Sequence, residues 1–597
     1  MNNQVTDRAN DPPPASRQGS SGPIAEVEDV ALLVGRLARR CNPPLLAPVL
    51  ALGVFERVGS NWLSDVLRSV MPQHNEPFRQ QLSRAHPLTP SHRVPLDLRG
   101  TELSGLGRHQ LVCALSDLHG RPRHLVKETN LFFALDSVLG LLPRSPVLLL
   151  TRAPVGIASS FTRGGLWARW HYAERYAQVV ATARAPRHRA RFAGLFPQDD
   201  PAPATALGRL LALNTLLLAD ALTRPGTPER ARLVLPYEDH VINPAATRSA
   251  LARFLELPPF PAERPSPDEG AVHGDGTFAT TGTKERLVAE LPVGQADEVR
   301  SAVASVLESA AHSIEPGVVN TATGWLAGDD QYELRTPAPH SSARTRRVPA
   351  SRPLPRIAYP PAPGVRWRNL LVSNTEMAEL LTLLHAGGAP NSRFGTHLFV
   401  CPMPHERGGR LHFDRTRRVW RASRGFEDHP AYWVTWAGAA VMAAWSGARL
   451  PTRPEVIAAT AGLTPRNCAY VEGDTTPVAE PGRGSAQVHH AVGNVQAWCG
   501  DGPTLPDEQP VQRYLAGAAW NTPGTRQAVC AERSRYLLGS SRGVGVRLVR
   551  DAGATDADRI GAWELARRVS RWAETADRGG HRGPGDLDRR LLDALGS

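Results

Sequence analysis

The sequence has few cysteines, and none sit at metal-binding spacing. Six occur in 597 residues, at positions 41, 113, 401, 468, 499 and 530, and no C-x-x-C is present. This excludes a zinc ribbon or disulfide scaffold and predicts a reducing, cytoplasmic setting. Long apolar runs are also missing. None reaches the roughly 18–20 residues of a membrane span; the run near Pro146–Leu150 has the length of a buried strand. The polar N-terminus lacks a signal-peptide apolar region, so no membrane partner is expected. The phosphate-loop pattern GxxxxGK[ST] is absent, which disfavours a nucleoside triphosphatase.

Glycine and proline are abundant, at 52 and 53 residues, and predict long irregular stretches. The net charge of +12 favours an anionic partner, although an Arg-rich, GC-rich coding bias accounts for it equally well. No nucleic-acid motif stands out. The Pro/Arg-rich stretch near 335–362 has almost no aromatics to stack on bases, so no nucleic-acid partner is expected.

Five regions follow from the texture. Residues 1–25 read as a disordered tail, and 26–330 alternate short apolar runs with helical patterns, as in a parallel α/β sheet. Residues 331–362 read as a linker. Residues 363–553 are rich in Trp and Gly and read as a loop-rich α+β domain, and 554–597 as a charged helix and tail.

Two local patterns suggest chemistry. In ALGVFERVGSNWLSDVL an apolar strand runs into Arg57-Val58-Gly59-Ser60-Asn61 and then a helix. A glycine turn opening onto a helix N-terminus offers backbone N–H groups and a positive dipole to an anion. In PVLLLTRAPVGIASSF a buried strand ends at Thr151-Arg152, and the helix after it carries Ser159 and Ser160. An arginine at a strand's carboxyl end and a serine eight residues on can grip one phosphate from two sides.

Together these stretches resemble the sulfotransferases that use 3′-phosphoadenylyl sulfate (PAPS). Arg57-Val58-Gly59-Ser60-Asn61-Trp62-Leu63 is similar to that family's R-S-G-T/S-T/S-W-L loop, and Arg152-Ala153-Pro154 with Ser160 to its R-D-P element. Tyr237, Glu238, Asp239 and Pro244 resemble a later Y-E-D-L…P segment, and the likeness spans about residues 45–290. It implies a phosphate-loop-like α/β fold. It also implies that Arg57, Gly59, Ser60, Asn61 and Trp62 bind the 5′-phosphosulfate, and that Arg152 and Ser160 bind the 3′-phosphate. Arg57 would also stabilise the leaving oxygen. Val58, Asn61 and Ala153 depart from the family pattern. The usual late R-K-G stretch is missing, and GTFATTGTKERL with Lys284 is its candidate counterpart. For the general base, Glu128 is first choice, with His124 and His86 as alternatives; Lys127 could bind phosphate or sulfonate. The segment 73–81 would line the acceptor pocket, the acceptor being a small molecule or peptide.

The C-terminal region resembles the formylglycine-generating-enzyme, or sulfatase-modifying-factor, family, whose fold is a C-type lectin variant. The likeness rests on NLLVSNTEMAELL, HPAYWVTWAGAAVMAAWSGARLPTRPEVIAATAG, VGNVQAW and YLAGAAWN…GVGVRLVR, across about 365–551. The family's copper cysteines fall at Trp520 and Thr525, leaving Cys530 alone nearby, and its calcium-binding glutamate is Ala497 beside Asn494. A soft-metal site needs thiolates, so no metal is expected there. His489 and His490 are adjacent and would point to opposite faces of a strand; His405, His412 and His429 are scattered. The leading expectation is a sulfotransferase whose C-terminal domain binds or positions the acceptor. A metal-dependent oxidase or oxygenase centred on the C-terminal domain, and a noncatalytic binding protein, stay open as alternatives.

Overall fold

The computed structural model describes residues 48–76, 105–260, 287–337 and 357–596, apart from short breaks, the longest at 403–409, 481–487, 523–532 and 552–558. The expected tail 1–25, most of the expected linker, His86, Lys284, His405, Thr525 and Cys530 lie outside the described residues.

The most apolar short runs become the central strands. β1 (Val49–Gly53) is followed by α1 (Ser60–Leu67), β2 (Gln73–Asn75), α2 (Gly105–His119), β3 (Leu125–Glu128) and α3 (Leu135–Leu141). Then come β4 (Val147–Thr151), α4 (Pro154–Arg163), α5 (Tyr172–Ala183), α6 (Pro203–Thr223) and β5 (Arg232–Pro236). β1 and β4 are buried at every position, as expected of strands covered on both faces. The five strands form one parallel sheet in the order β2-β3-β1-β4-β5. From β1 the chain moves toward β2, and from β4 it moves the other way, toward β5. The boundary between β1 and β4 is therefore a topological switch point, where the carboxyl ends of an open α/β sheet leave a crevice for ligands.

α7 (Tyr237–Ile242), α8 (Pro244–Phe254), β6 (Val288–Glu290), α9 (Gln295–Ala310), α10 (Pro316–Trp325) and β7 (Glu333–Arg335) complete this unit. α6 is long and apolar enough to cross a membrane, yet 78% of its most apolar window is buried, much of it against α9 and α10. β7 pairs with β6, and Tyr332 is buried in the same core. Residues 331–335, expected to begin the linker, thus belong to the N-terminal unit: an apolar phenol ring with a buried partner pulls them in.

The second unit begins with β8 (Pro361–Ala362) and β9 (Val365–Trp367), then α11 (Asn374–Ala386). Four short strands follow: β10 (Ser392–Arg393), β11 (Thr396–His397), β12 (Leu411–Asp414) and β13 (Val419–Ala422). Next are α12 (Trp436–Trp445), α13 (Arg453–Thr460), β14 (Gln496–Trp498), β15 (Gln512–Ala516), β16 (Arg533–Tyr536), β17 (Val544–Gly545) and β18 (Val549–Asp551). The helices start where the sequence supplies caps: Ser373 with Glu376 and Thr452 with Glu455 form capping boxes. β14 lies between β15 and β17, so two of the motif blocks meet in one sheet. Trp436 and Trp498 are fully buried, and each indole N–H donates to a backbone carbonyl, of Cys499 and Val434 respectively.

Two helices close the chain, α14 (Arg559–Arg578) and α15 (Pro584–Leu595). The stretch expected to be a tail is helical because Leu587, Leu591, Leu592 and Leu595 recur at helical spacing and bury one face. α2 departs furthest from the linear reading. Although it lies between β2 and β3 in sequence, Leu106, Cys113 and Ala114 belong to the second unit's core, against α14 and α15. Contact is close where α2 begins: a Cβ on Gly105 would collide with the Asp577 carbonyl oxygen.

Candidate functional site

The two arginine elements, about 95 residues apart in sequence, meet at the switch point. Arg57 leaves β1 in the left-handed region, at φ 68°, unusual for a long side chain. Its Nε donates to Ser160 Oγ at 2.9 Å. Arg152, 4% exposed, follows β4 and donates from Nη1 to the Arg57 carbonyl at 2.8 Å and from Nε to Tyr332 Oη at 3.1 Å. Its guanidinium lies over the Tyr237 ring at 4.0 Å. Arg152 Nη2 is buried and has no hydrogen-bond partner among the described residues. Such a donor is costly to leave unpaired, and an anion would satisfy it.

Burial dominates the titration of the charged neighbours. Glu238 accepts from Tyr332 Oη at 2.8 Å and from the Ala153 N–H at 3.1 Å, but burial outweighs these bonds and raises its pKa. Burial, and after it the Arg152 charge, lowers the pKa of Arg163. Ser159 is committed elsewhere, accepting from the Glu290 N–H at 2.8 Å, so Ser160 alone of the pair faces Arg57.

Gly59 fits because of its backbone and its neighbour. Its φ is 85°, and a Cβ there would stand 2.7 Å from Tyr237 Cδ2. Gly59→Ala is expected to cost about 1–3 kcal/mol of stability and to weaken anion binding; an unchanged melting temperature would contradict this. Ser60 begins α1, and Trp62 is buried with its ring stacked on His240 at 3.4 Å. Asn61 lies in the first turn of α1.

The loop after β1 is braced from below. Glu56, 4% exposed, pairs with Arg175 Nη2 at 2.7 Å and accepts from the Asn130 side chain. Asn214 on α6 donates to the Val54 carbonyl at 2.7 Å and accepts from the Phe132 N–H at 3.1 Å. These groups fix the β1 loop to the chain leaving β3.

The base candidates separate by position. Glu128, 1% exposed, ends β3 at the carboxyl edge, in register with Leu52. Lys127 is also buried, but on the opposite face of the strand. Glu76 accepts from Thr129 Oγ1 at 2.6 Å, so the 73–81 segment starts beside the same edge. His124 is a correction. It precedes β3, at the amino end of the sheet, where it packs against His74 at 5.0 Å. Four strand residues, roughly 13 Å, separate it from the Glu128 end.

In the second unit the described residues weighed for metal binding have these surroundings. Trp520 and Ala497 are buried. Asn494 Oδ1 accepts from the Thr476 N–H and Asn467 Nδ2, at 2.9 and 3.1 Å, which makes it a structural brace. His489 and His490 donate to different carbonyls, of Glu480 and Pro477, and His412 is exposed. Burial, and then Arg410, lowers the His429 pKa to about 4. The unfolded chain therefore takes up this proton first. Stability should fall by about 3 kcal/mol as pH drops from the ordinary histidine value to 4. His429→Gln should flatten that fall in urea midpoints measured at pH 7 and 4.5.

No family model matches the chain. Two curated relatives are serine/threonine-protein kinase pkn1 of Chlamydia caviae, 31% identical over 143 residues, and Pkn1 of Chlamydia trachomatis serovar L2, 29% identical over 154. The matches cover 19% and 21% of this chain and 23% and 25% of theirs. The chain thus spans about a quarter of the length of the curated relatives it matches. Among solved structures, CarF aligns at 17% identity and TM-score 0.24, over 32% of this chain and 86% of its own. The sulfotransferase domain from the curacin biosynthetic pathway aligns at 15% and 0.24, over 44% and 98%. Sulfotransferase STF9 from Mycobacterium avium aligns at 12% and 0.21, over 52% and 84%. Likenesses this faint bear on neither activity nor substrate.

Proposed function

We propose that the N-terminal unit is a PAPS-dependent sulfotransferase. The observation that carries this is the convergence of Arg57, Ser160 and the buried Arg152 at the switch point, with Arg152 Nη2 lacking a partner among the described residues. In this reading Arg152 and Ser160 hold the 3′-phosphate, and Gly59, Ser60 and Asn61 cradle the 5′-phosphate at the start of α1, with Trp62 backing the loop. Lys284 adds a cation from its own segment. The acceptor oxygen or nitrogen attacks sulfur, and the S–O bond to the 5′-phosphate breaks. The acceptor proton passes to Glu128, and Arg57 stabilises the charge left on the phosphate oxygen. The C-terminal unit, read as formylglycine-generating-enzyme-like, binds or positions a small-molecule or peptide acceptor. An open groove of about 720 Å³, lined by Glu379, Trp420, Arg421, Glu427 and Trp445, supports that role.

Calorimetry with 3′-phosphoadenosine 5′-phosphate tests the reading. Micromolar binding, weakened at least tenfold when the 3′-phosphate is omitted and by Arg57→Ala, is expected. Equal binding of adenosine 5′-phosphate would sink it.

A further inference from the structure

Where α2 meets the end of the chain, three side chains of different chemistry converge. His109 and Cys113 lie four residues apart on α2, on one helix face. Asp588 reaches them from α15. His109 Nε2 lies 2.9 Å from Asp588 Oδ1, Cys113 Sγ 3.5 Å from His109 Nε2, and Cys113 Sγ 4.0 Å from Asp588 Oδ2. The residues are 5%, 2% and 2% exposed. Val511 N–H donates to Asp588 Oδ2 at 2.8 Å, and the Trp572 ring packs edge-on against the imidazole. Among the described residues this is the one set of three or more His, Cys, Asp or Glu side chains whose ligand atoms all lie within 4.8 Å of one another.

We infer that this cluster is a zinc site joining the two units. The donors match zinc in kind: one thiolate, one imidazole nitrogen and one carboxylate oxygen, a set that hard, oxygen-seeking cations do not favour. Their separations match in size. Tetrahedral zinc with ordinary bond lengths of about 2.0–2.3 Å places ligand atoms roughly 3.3–3.6 Å apart; here one ligand atom from each residue lies within 4.8 Å of the others, and turning the Asp588 carboxylate brings one oxygen toward both partners. Charge matches as well. A Cys113 thiolate and the Asp588 carboxylate balance Zn²⁺ with neutral imidazole, so a site in the dry interior carries no net charge. Binding releases the thiol proton to solvent. The Val511 N–H fixes the carboxylate, as outer partners of metal ligands do. The fourth position falls to water or the second Asp588 oxygen. The site's place is its purpose: it ties a helix from the first third of the chain to the last helix.

The full-length protein, stripped with chelator, is titrated with Co²⁺ and then Zn²⁺ against a chromophoric competitor. One equivalent should bind, and the Co²⁺ form should show a thiolate-to-cobalt charge-transfer band in the near ultraviolet. Cys113→Ser should abolish the band, and His109→Ala or Asp588→Asn should weaken Zn²⁺ by at least about tenfold. Cys401→Ser, at a buried cysteine elsewhere, should change nothing. If a variant fails to fold, the folded wild type decides: one equivalent with the thiolate band supports the site. Less than one equivalent, no thiolate band, or a band that persists in a folded Cys113→Ser variant overturns it.

Discussion

Arg152→Met should weaken binding of 3′-phosphoadenosine 5′-phosphate by about 100-fold or more, and Tyr332→Phe should weaken it far less. The guanidinium is buried and stacked on Tyr237, with Nη2 aimed at no protein acceptor among the described residues. A charge-assisted hydrogen bond contributes about 1.5–3 kcal/mol, and 100-fold corresponds to about 2.7 kcal/mol. Losing the one or two bonds that a phosphate would make to Arg152 is enough. Methionine keeps the length and the apolar stack, so the loss reports on charge and hydrogen bonding. Tyr332→Phe removes only a hydroxyl, which accepts from Nε and donates to Glu238. Calorimetry measures both variants, with melting curves to show that they fold. Equal losses would move the anion away from Arg152.

The second large effect is on stability. Arg175→Met should destabilise the N-terminal unit by about 3–5 kcal/mol. It leaves the Glu56 carboxylate buried beside the Asn130 amide, without its cationic partner. The Coulomb gain of such a pair barely exceeds the cost of desolvating it, but half a pair retains only the cost. The double variant Glu56→Leu/Arg175→Met should therefore recover much of the loss. Urea unfolding followed by tryptophan fluorescence distinguishes these cases. A double variant as unstable as the single one would mean that Arg175 acts through packing.

Both phosphate-type loops were legible in the sequence because each is local: strand, turn and helix start lie within a dozen residues. Their partners were not. Arg175 reaches Glu56 across 119 residues, Asn214 reaches Val54 across 160, and Tyr332 reaches Arg152 across 180, from a stretch that composition assigns to a linker. The LVKE run forms β3, with a polar residue on either side of its apolar pair. Only the parallel sheet shows that Glu128 shares the edge of the Arg57 loop and His124 does not. In the second unit the capping residues and buried tryptophans follow from the motif blocks. The final helix, α15, is hard to see in the sequence because its leucine period lies amid a run of charge. Spacing of four puts His109 and Cys113 on one face of α2, but nothing in the sequence points to Asp588, 479 residues away.

The docking of α2 on α14 and α15 also sets a clock for biosynthesis. A ribosome adds roughly 5–20 residues per second, so His109 emerges about half a minute to a minute and a half before Asp588 exists to receive it. For most of that interval the apolar face of α2, with Leu106, Cys113 and Ala114, waits for its partners in α14 and α15. The sheet can assemble early, from β1 to β5. Its connection through α2 cannot settle until the last helix has left the exit tunnel, so the nascent chain must be shielded there or wait.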